Sequence, residues 1–174
     1  LNNTRWGGLR DDGTKVAVSN AAGPQPNDQN SGTVAGVTDF VTELPQVGST
    51  EVWEIINLTG DAHPIHLHLV QFQAMDRQEY NVKKYTKEYE RNFPGGAAAN
   101  PNQGIFIPHF GPPNQYNVPN MDDAIGGNPA IGPYLNTKKG PQRPEAYEVG
   151  WKDTVIALPK QVTRIKVRWA KQDW

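Results

Sequence analysis

The chain has 174 residues and no cysteine, which excludes disulfides, thiolate metal sites, iron–sulfur clusters and thiol nucleophiles. With 17 lysines and arginines against 18 aspartates and glutamates, its formal charge is −1, so there is no electrostatic reason to expect nucleic acid or an anionic membrane as a partner. No apolar run approaches the ~18 residues of a transmembrane helix, so no membrane span is predicted.

The first predicted elements are short strands separated by turns. The chain is polar and turn-rich up to residue 50, and strands are predicted only at residues 15–18 and 37–44. Residues 51–57 alternate charged and apolar side chains before an apolar pair, which indicates a half-buried strand. After a Thr-Gly-Asp turn, residues 65–75 are rich in β-forming side chains and predict one long strand.

The second half of the chain is less regular. Residues 82–91 are the best helix candidate, and from residue 85 to 149 periodicity is lost while glycine, proline and asparagine are frequent. Because loops longer than ~12–15 residues are unusual, we interpret this long insertion, residues 86–149, as a functional excursion or a partly mobile segment. Strands are predicted again at residues 154–158 and 162–169. In the last of these, the even-numbered residues should face solvent and the odd-numbered ones the core. The sequence therefore predicts an all-β fold, as a sandwich or Greek-key barrel.

Three of the four histidines, His63, His66 and His68, lie within six residues. On a strand, His66 and His68 project from the same face and can converge on one metal cluster. Pro64 cannot donate to a sheet, so we expect His63 to precede the strand and to point elsewhere, which would let one segment serve two metal centres. Imidazole ligands suit copper, zinc, iron or nickel, whereas magnesium or calcium would require carboxylates that this segment lacks.

Other polar residues have less specific interpretations. Asp61 and Asp76 flank the histidines and could orient the imidazoles, although a turn for Asp61 and an ion pair with Arg77 for Asp76 are the expected roles. His109 is expected to be a surface-loop histidine of the insertion. Residues 151–154, Trp-Lys-Asp-Thr, are interpreted as an aromatic plug and a turn entering a strand.

The histidine segment resembles a known family motif. Residues 63–68, His-Pro-Ile-His-Leu-His, with Leu-Val-x-Phe directly after them and Asp-Arg at 76–77, are similar to the first copper-ligand motif in the last cupredoxin domain of multicopper oxidases. The likeness is to the bacterial laccase and bilirubin-oxidase type, which includes spore-coat laccases. Weaker matches follow the family's order at residues 1–6, 47–57 and 150–154. The resemblance implies that residues 1–174 are a C-terminal cupredoxin-like domain, with residues 86–149 inserted in it.

The resemblance implies a role for each histidine of the motif. His63 would bind the mononuclear type 1 copper that takes electrons from the substrate. His66 would bind the type 2 copper, and His68 one type 3 copper, of the cluster that reduces dioxygen to water. The implied activity is laccase-like: one-electron oxidation of phenolic or similar small aromatic reductants, coupled to four-electron reduction of dioxygen. The implied partners are the remaining cupredoxin domains of the same oxidase, and the implied location is extracytoplasmic, secreted or on the spore surface.

The sequence departs from the family pattern in one respect. The type 1 site of the family also needs a cysteine, from a His-Cys-His motif that follows the strand matching residues 162–169, and that motif is absent. We therefore expect a fragment, or one chain of a cut or split oxidase, that has no oxidase activity by itself. The alternative is a non-catalytic module that binds copper or zinc through the same histidines. A cupin-type enzyme is disfavoured, because it expects a glutamate a few residues after the histidine pair, where residues 69–72 are Leu-Val-Gln-Phe.

Overall fold

The computed structural model of the protein describes residues 32–34, 37–39, 45–92, 113–114 and 118–170. Its elements, in chain order, are β1 (Gly32–Val34), β2 (Val37–Asp39), β3 (Thr50–Ile56), β4 (His63–His66), β5 (Phe72–Glu79), α1 (Val82–Arg91), 3-10 helices at Gly132–Tyr134 and Ala146–Glu148, β6 (Trp151–Lys152), β7 (Thr154–Ala157) and β8 (Gln161–Arg168). The strands pair in antiparallel sheets, consistent with a cupredoxin-like fold, so the all-β prediction is confirmed. No helix in this described part has the length and apolar character that crossing a membrane requires.

The chain divides into two compact units, and the first comprises residues 1–44 and 85–132. Its described part includes an antiparallel pair formed by β1 and β2. Tyr85 and Tyr89 lie one helical turn apart and are both buried. The Tyr85 hydroxyl donates a hydrogen bond of 2.9 Å to the carbonyl of Pro129, so this buried phenol group is satisfied.

The second unit, residues 45–84 and 133–174, carries the histidine segment. One of its sheets has four strands in the order β3-β8-β5-β6, and the other pairs β4 with β7. The buried core cluster consists of Phe72, Val155, Ile165 and Val167. Both sheets contribute to this cluster, and Ile65 of β4 packs against it. The core therefore joins the strand that carries the histidines to the four-stranded sheet.

Most of the predicted elements are found. The strand predicted at 51–57 is β3, the strands predicted at 154–158 and 162–169 are β7 and β8, and the predicted helix is α1. This helix begins where the Asn81 side chain accepts a hydrogen bond of 3.0 Å from the Lys84 amide, which satisfies one of the first free N–H groups. Of the prediction at 37–44, residues 37–39 form β2. The remainder of that segment, and the strand predicted at 15–18, lie outside the described residues.

The prediction of one long strand over residues 65–75 is wrong. β4 ends at His66, β5 begins at Phe72, and the two strands belong to different sheets. Leu69, between them, has a φ of +67°, which lies in the left-handed region and is incompatible with a continuous strand. His63 is itself the first residue of β4, so the expectation that it precedes the strand is also wrong.

The insertion predicted at 86–149 is described only in part. From residue 118 onward it consists of turns and the two 3-10 helices, and Arg77 of β5 forms an isolated bridge with Gln142. The domain boundaries remain predictions.

One side chain of β8 is buried without a hydrogen-bond partner. Thr163 is 1% exposed, and its Oγ1 has no partner among the described residues. A buried hydroxyl that makes no hydrogen bond costs about 1–3 kcal/mol. We therefore expect Thr163→Val, which keeps the shape of the side chain, to raise the free energy of unfolding by about 1 kcal/mol in urea denaturation. Thr154→Val is the matched control, because the Thr154 hydroxyl donates to Asp153 Oδ1 at 3.1 Å. A loss of stability in Thr163→Val would contradict this expectation.

Candidate metal centre

The candidate centre is built on β4, which carries two of the three clustered histidines. β4 pairs with β7 so that His63 lies opposite Ala157 and His66 opposite Thr154. Because side chains alternate along a strand, residues three apart project from opposite faces. The side chains of His63 and His66 therefore project from opposite faces of the same short strand, as the hypothesis of two metal centres requires.

The His66 imidazole is oriented by the start of β7. Its Nδ1 lies 2.9 Å from the backbone carbonyl oxygen of Asp153 and 3.1 Å from Thr154 Oγ1. A carbonyl oxygen can only accept, so Nδ1 carries the hydrogen and Nε2 carries the lone pair. The Asp153 carboxylate is 4.0 Å from the same Nδ1. His66 is thus held as a tautomer that can bind a metal through Nε2.

His68 lies beyond the strand, yet its ring approaches that of His66. The two ring centroids are 4.9 Å apart, with an angle of 59° between the planes. The prediction that both project from one face of a single strand is wrong, because β4 ends at His66. The bend that carries Leu69 instead brings His68 alongside. An open groove of about 430 Å³ is lined by His66, Leu67, His68, Leu69, Val70, Gln71 and Asp153.

His63 has a separate environment. Its Nε2 lies 2.7 Å from the hydroxyl oxygen of Thr59, in the turn between β3 and β4. The tip of this turn is held by Asn57, whose side chain accepts a hydrogen bond from the Thr59 amide at 2.9 Å. Neither Asn57 nor Thr59 was identified from the sequence as a site residue, although their Asn-x-Thr spacing is typical of a side-chain-stabilised turn.

The histidine side chains described above are suitable copper ligands, but they do not form a complete copper site. Neutral imidazoles are suitable ligands for copper, and His66 and His68 present two of them at the same groove. Among the described residues, no group of three or more histidine, cysteine, aspartate or glutamate side chains is arranged to hold a metal ion. The described part of the chain therefore presents two imidazoles at the groove and one on the other side of β4.

Several polar residues are placed differently from their predicted positions. Asp76 does not pair with Arg77, because neighbours on β5 project to opposite faces; it pairs with Arg164 at 2.7 Å. Arg77 instead pairs with Glu148. Trp151 is 60% exposed, so its interpretation as an aromatic plug is wrong.

Two further residues from the sequence analysis are Asp61 and His109. Asp61 lies in the turn before β4, as expected, and its backbone carbonyl accepts a hydrogen bond from the Asn57 side chain at 2.8 Å. His109 lies outside the described residues.

Comparison with known proteins supplies the family context. A family model described as multicopper oxidase matches residues 12–104, which is more than half of the chain. The chain is 48% identical over 63 residues to a laccase of Bacillus subtilis, a match that covers 36% of this chain and 12% of that protein. It is 32% identical over 130 residues to the multicopper oxidase LPR1 of Arabidopsis thaliana, covering 75% of this chain and 17% of that protein. The chain thus spans only a small part of the length of these relatives.

Proposed function

The chain belongs to the multicopper oxidase family, and from this premise we propose that it supplies His63, His66 and His68 as copper ligands of a laccase-like oxidase. His66 and His68 would bind the copper cluster that reacts with dioxygen. His63, on the opposite face of β4, would bind the separate copper that receives electrons from the reductant. The observation that carries the proposal is the 4.9 Å approach of the His66 and His68 rings at one groove.

The proposed reaction joins two half-reactions. Copper, when bound, supplies the one-electron redox chemistry that couples four oxidations of a phenolic or similar aromatic reductant to reduction of dioxygen to water. The described residues of this chain would bind copper and orient its histidine ligands. Asp153 and Thr154 hold the Nδ1 side of His66, and β4 separates the two ligand sets. Because the chain covers 12% of the Bacillus laccase, the further cupredoxin domains of such an oxidase are proposed partners, which would complete both sites together with the family's His-Cys-His segment. An extracytoplasmic, secreted or spore-surface location is part of the same proposal.

The absence of cysteine limits what this chain can do by itself. A mononuclear copper site of the blue type uses a cysteine thiolate together with two histidines, and the sequence has none to offer. We therefore propose that the 174-residue chain alone does not oxidise phenols. Dioxygen consumption with a phenolic substrate by the pure, copper-loaded chain would contradict this.

The ligand assignment is tested by titrating the metal-free chain with Cu(II) and following nitrogen coordination by electron paramagnetic resonance. We expect His66→Ala and His68→Ala each to weaken Cu(II) binding at the groove by at least about tenfold, because each removes one of two converging ligands. His109→Ala is the matched control, since it removes the one histidine that lies outside the proposed ligand set. Unchanged Cu(II) affinity in both His66→Ala and His68→Ala would overturn the assignment.

A parallel titration with Zn(II) addresses the alternative. A non-catalytic metal module would bind through the same histidines but would gain no oxidase activity when the remaining domains and the family's His-Cys-His segment are added. A laccase-like enzyme, in contrast, would acquire copper-dependent phenol oxidation on that addition. The complemented assay therefore separates the two functions after the ligands have been identified.

A further inference from the structure

Asn57 is the most firmly anchored polar residue near the histidines. It is 4% exposed, its backbone N–H donates to the carbonyl of Gln161 at 3.1 Å, and its own carbonyl accepts from the Tyr80 hydroxyl at 2.8 Å. Its side-chain Nδ2 donates to two carbonyl oxygens, those of Asp61 at 2.8 Å and Ala157 at 3.0 Å. Because carbonyl oxygens only accept, the amide has one allowed orientation, and Oδ1 must face the other way.

Thr59 stands between this amide and His63. Its hydroxyl oxygen lies 2.8 Å from Asn57 Oδ1, 3.2 Å from the Asp61 carbonyl oxygen and 2.7 Å from His63 Nε2. A hydroxyl has one hydrogen to donate, and the two oxygen neighbours can only accept. Two oxygens 2.8 Å apart need a hydrogen between them, so the hydroxyl donates to Asn57 Oδ1 and not to the imidazole. The Asp61 amide, 3.3 Å away, donates to the same hydroxyl oxygen. Towards the imidazole, the hydroxyl presents a lone pair.

This arrangement determines the tautomer of His63. A lone pair facing Nε2 at 2.7 Å requires a hydrogen on Nε2, which leaves the lone pair of the neutral ring on Nδ1. His66 has the opposite arrangement, because its Nδ1 donates to the Asp153 carbonyl. Two histidines three residues apart are thus held as opposite tautomers by two different elements of the fold.

We propose that Thr59, anchored by Asn57, is a positioning residue that fixes His63 as the Nε2–H tautomer and so makes Nδ1 its metal-binding nitrogen. The tautomer is a property of the metal-free chain. Only the last step, the use of Nδ1 by a metal, rests on the proposed function. If Thr59 served only to stabilise the turn, its hydroxyl would matter for stability and not for the distribution of hydrogen between the two ring nitrogens.

The test is nitrogen NMR of the full-length, ¹⁵N-labelled, metal-free chain at about pH 8.5, which is two units above the reference pKa of a free imidazole. Protonated and unprotonated ring nitrogens have well-separated shifts, and His63→Ala assigns the His63 signals. We expect a hydrogen on Nε2 of His63 and on Nδ1 of His66. In Thr59→Val, the His63 nitrogens should move toward the averaged values of exchanging tautomers, while those of His66 stay unchanged.

Two variants complete the design. Thr59→Ser keeps the hydroxyl and should retain the His63 tautomer. Thr154→Val removes a hydroxyl beside His66, whose Nδ1 still faces the Asp153 carbonyl, so it should leave both tautomers unchanged. Backbone amide spectra show whether each variant is folded. If Thr59→Val does not fold, Thr59→Ser and the wild-type tautomers still decide the outcome. A wild-type His63 with its hydrogen on Nδ1, or a folded Thr59→Val with an unchanged His63 tautomer, would overturn the inference.

A final measurement separates this inference from the proposed function. Substoichiometric Cu(II) should broaden the Nδ1 signal of His63 more than its Nε2 signal, because the bound nitrogen is nearest the paramagnetic ion. Broadening centred on Nε2 would overturn the role given to Thr59. The expected tautomer without any copper effect at His63, in contrast, would count against the ligand assignment and leave the positioning by Thr59 intact.

Discussion

Replacing Glu148 by leucine is expected to lower the free energy of unfolding by about 3–5 kcal/mol, because it leaves the guanidinium of Arg77 buried without its counter-charge. Both side chains are only 10% exposed. Arg77 donates two hydrogen bonds, of 2.6 and 2.5 Å, to the two carboxylate oxygens of Glu148. It also donates to the carbonyl of Ile156 on β7, so the pair ties β5 and the last 3-10 helix to the strand beside β4.

The double variant Arg77→Met with Glu148→Leu is the control for this prediction. Removing both charges eliminates the uncompensated ion, so the double variant should recover most of the lost stability. The recovery should be incomplete because the Ile156 carbonyl loses its donor. Urea denaturation of the wild type, Glu148→Leu, Arg77→Met and the double variant measures the coupling between the two side chains. If Glu148→Leu costs less than about 1 kcal/mol, the pair does not have the importance that its burial indicates.

The same pair predicts a pH dependence. Hydrogen bonds from Arg77 hold the pKa of Glu148 below its ordinary value of 4.5. A carboxyl group whose pKa is lower in the folded state stabilises the fold fully above its unfolded pKa, and this stabilisation is lost as the pH falls through the folded value. The stability difference between wild type and Glu148→Leu should therefore shrink as the pH is lowered below 4.5.

The sequence predicts the elements that have a regular local pattern. β3, β7, β8 and α1 could be predicted because each has a local sequence pattern that indicates its type of secondary structure. The long strand predicted at 65–75 is not found. The segment is rich in β-forming residues, and composition cannot show where the chain leaves one sheet for another. The chain passes from one sheet to the other through Leu69, which has a positive φ, and no glycine or proline at this point indicates the bend.

Pairings between distant segments could not be predicted either. Arg77 was assigned to its neighbour Asp76, whereas its partner Glu148 is 71 residues away along the chain. Val162 was predicted on the solvent-facing side of β8, yet it is fully buried. It lies opposite Ile56 and Gln78 in the register of the sheet, so its burial depends on residues from two other strands.

The sequence predicted which residues form the candidate site, but not how their side chains are arranged. The spacing of His63, His66 and His68 indicates metal binding because burying several imidazoles among apolar strand residues is costly without ligation or hydrogen bonds. In the structure, however, all three histidines are exposed, so this reason does not apply to the chain as it stands. The sequence could not give the tautomers of His66 and His63, since these depend on the Asp153 carbonyl and on the Thr59 hydroxyl, respectively. The latter is oriented by Asn57, whose hydrogen-bond partner Ala157 is 100 residues away.

Phe72→Ala is expected to destabilise the second unit by about 3–5 kcal/mol, since it opens a cavity at a fully buried aromatic side chain. Phe72 belongs to the cluster that contains Val155 of β7, and Ile65 and Leu67, on either side of His66, pack against the same cluster. The cavity should therefore loosen both the histidine strand and the strand whose Thr154 hydroxyl approaches His66. Under native conditions, we expect weaker Cu(II) binding at the groove as well as a lower urea midpoint.

Phe72→Leu is the matched control, because it keeps an apolar side chain of similar length and should cost less than Phe72→Ala in both measurements. The comparison distinguishes a core that only holds the unit together from one that also determines the spacing of the His66 and His68 rings. In the first case, Cu(II) affinity in the folded fraction would be the same in both variants. In the second, affinity would fall with the volume removed. Since the residues flanking His66 pack on the cluster and the ring itself is held from β7, we expect the second result.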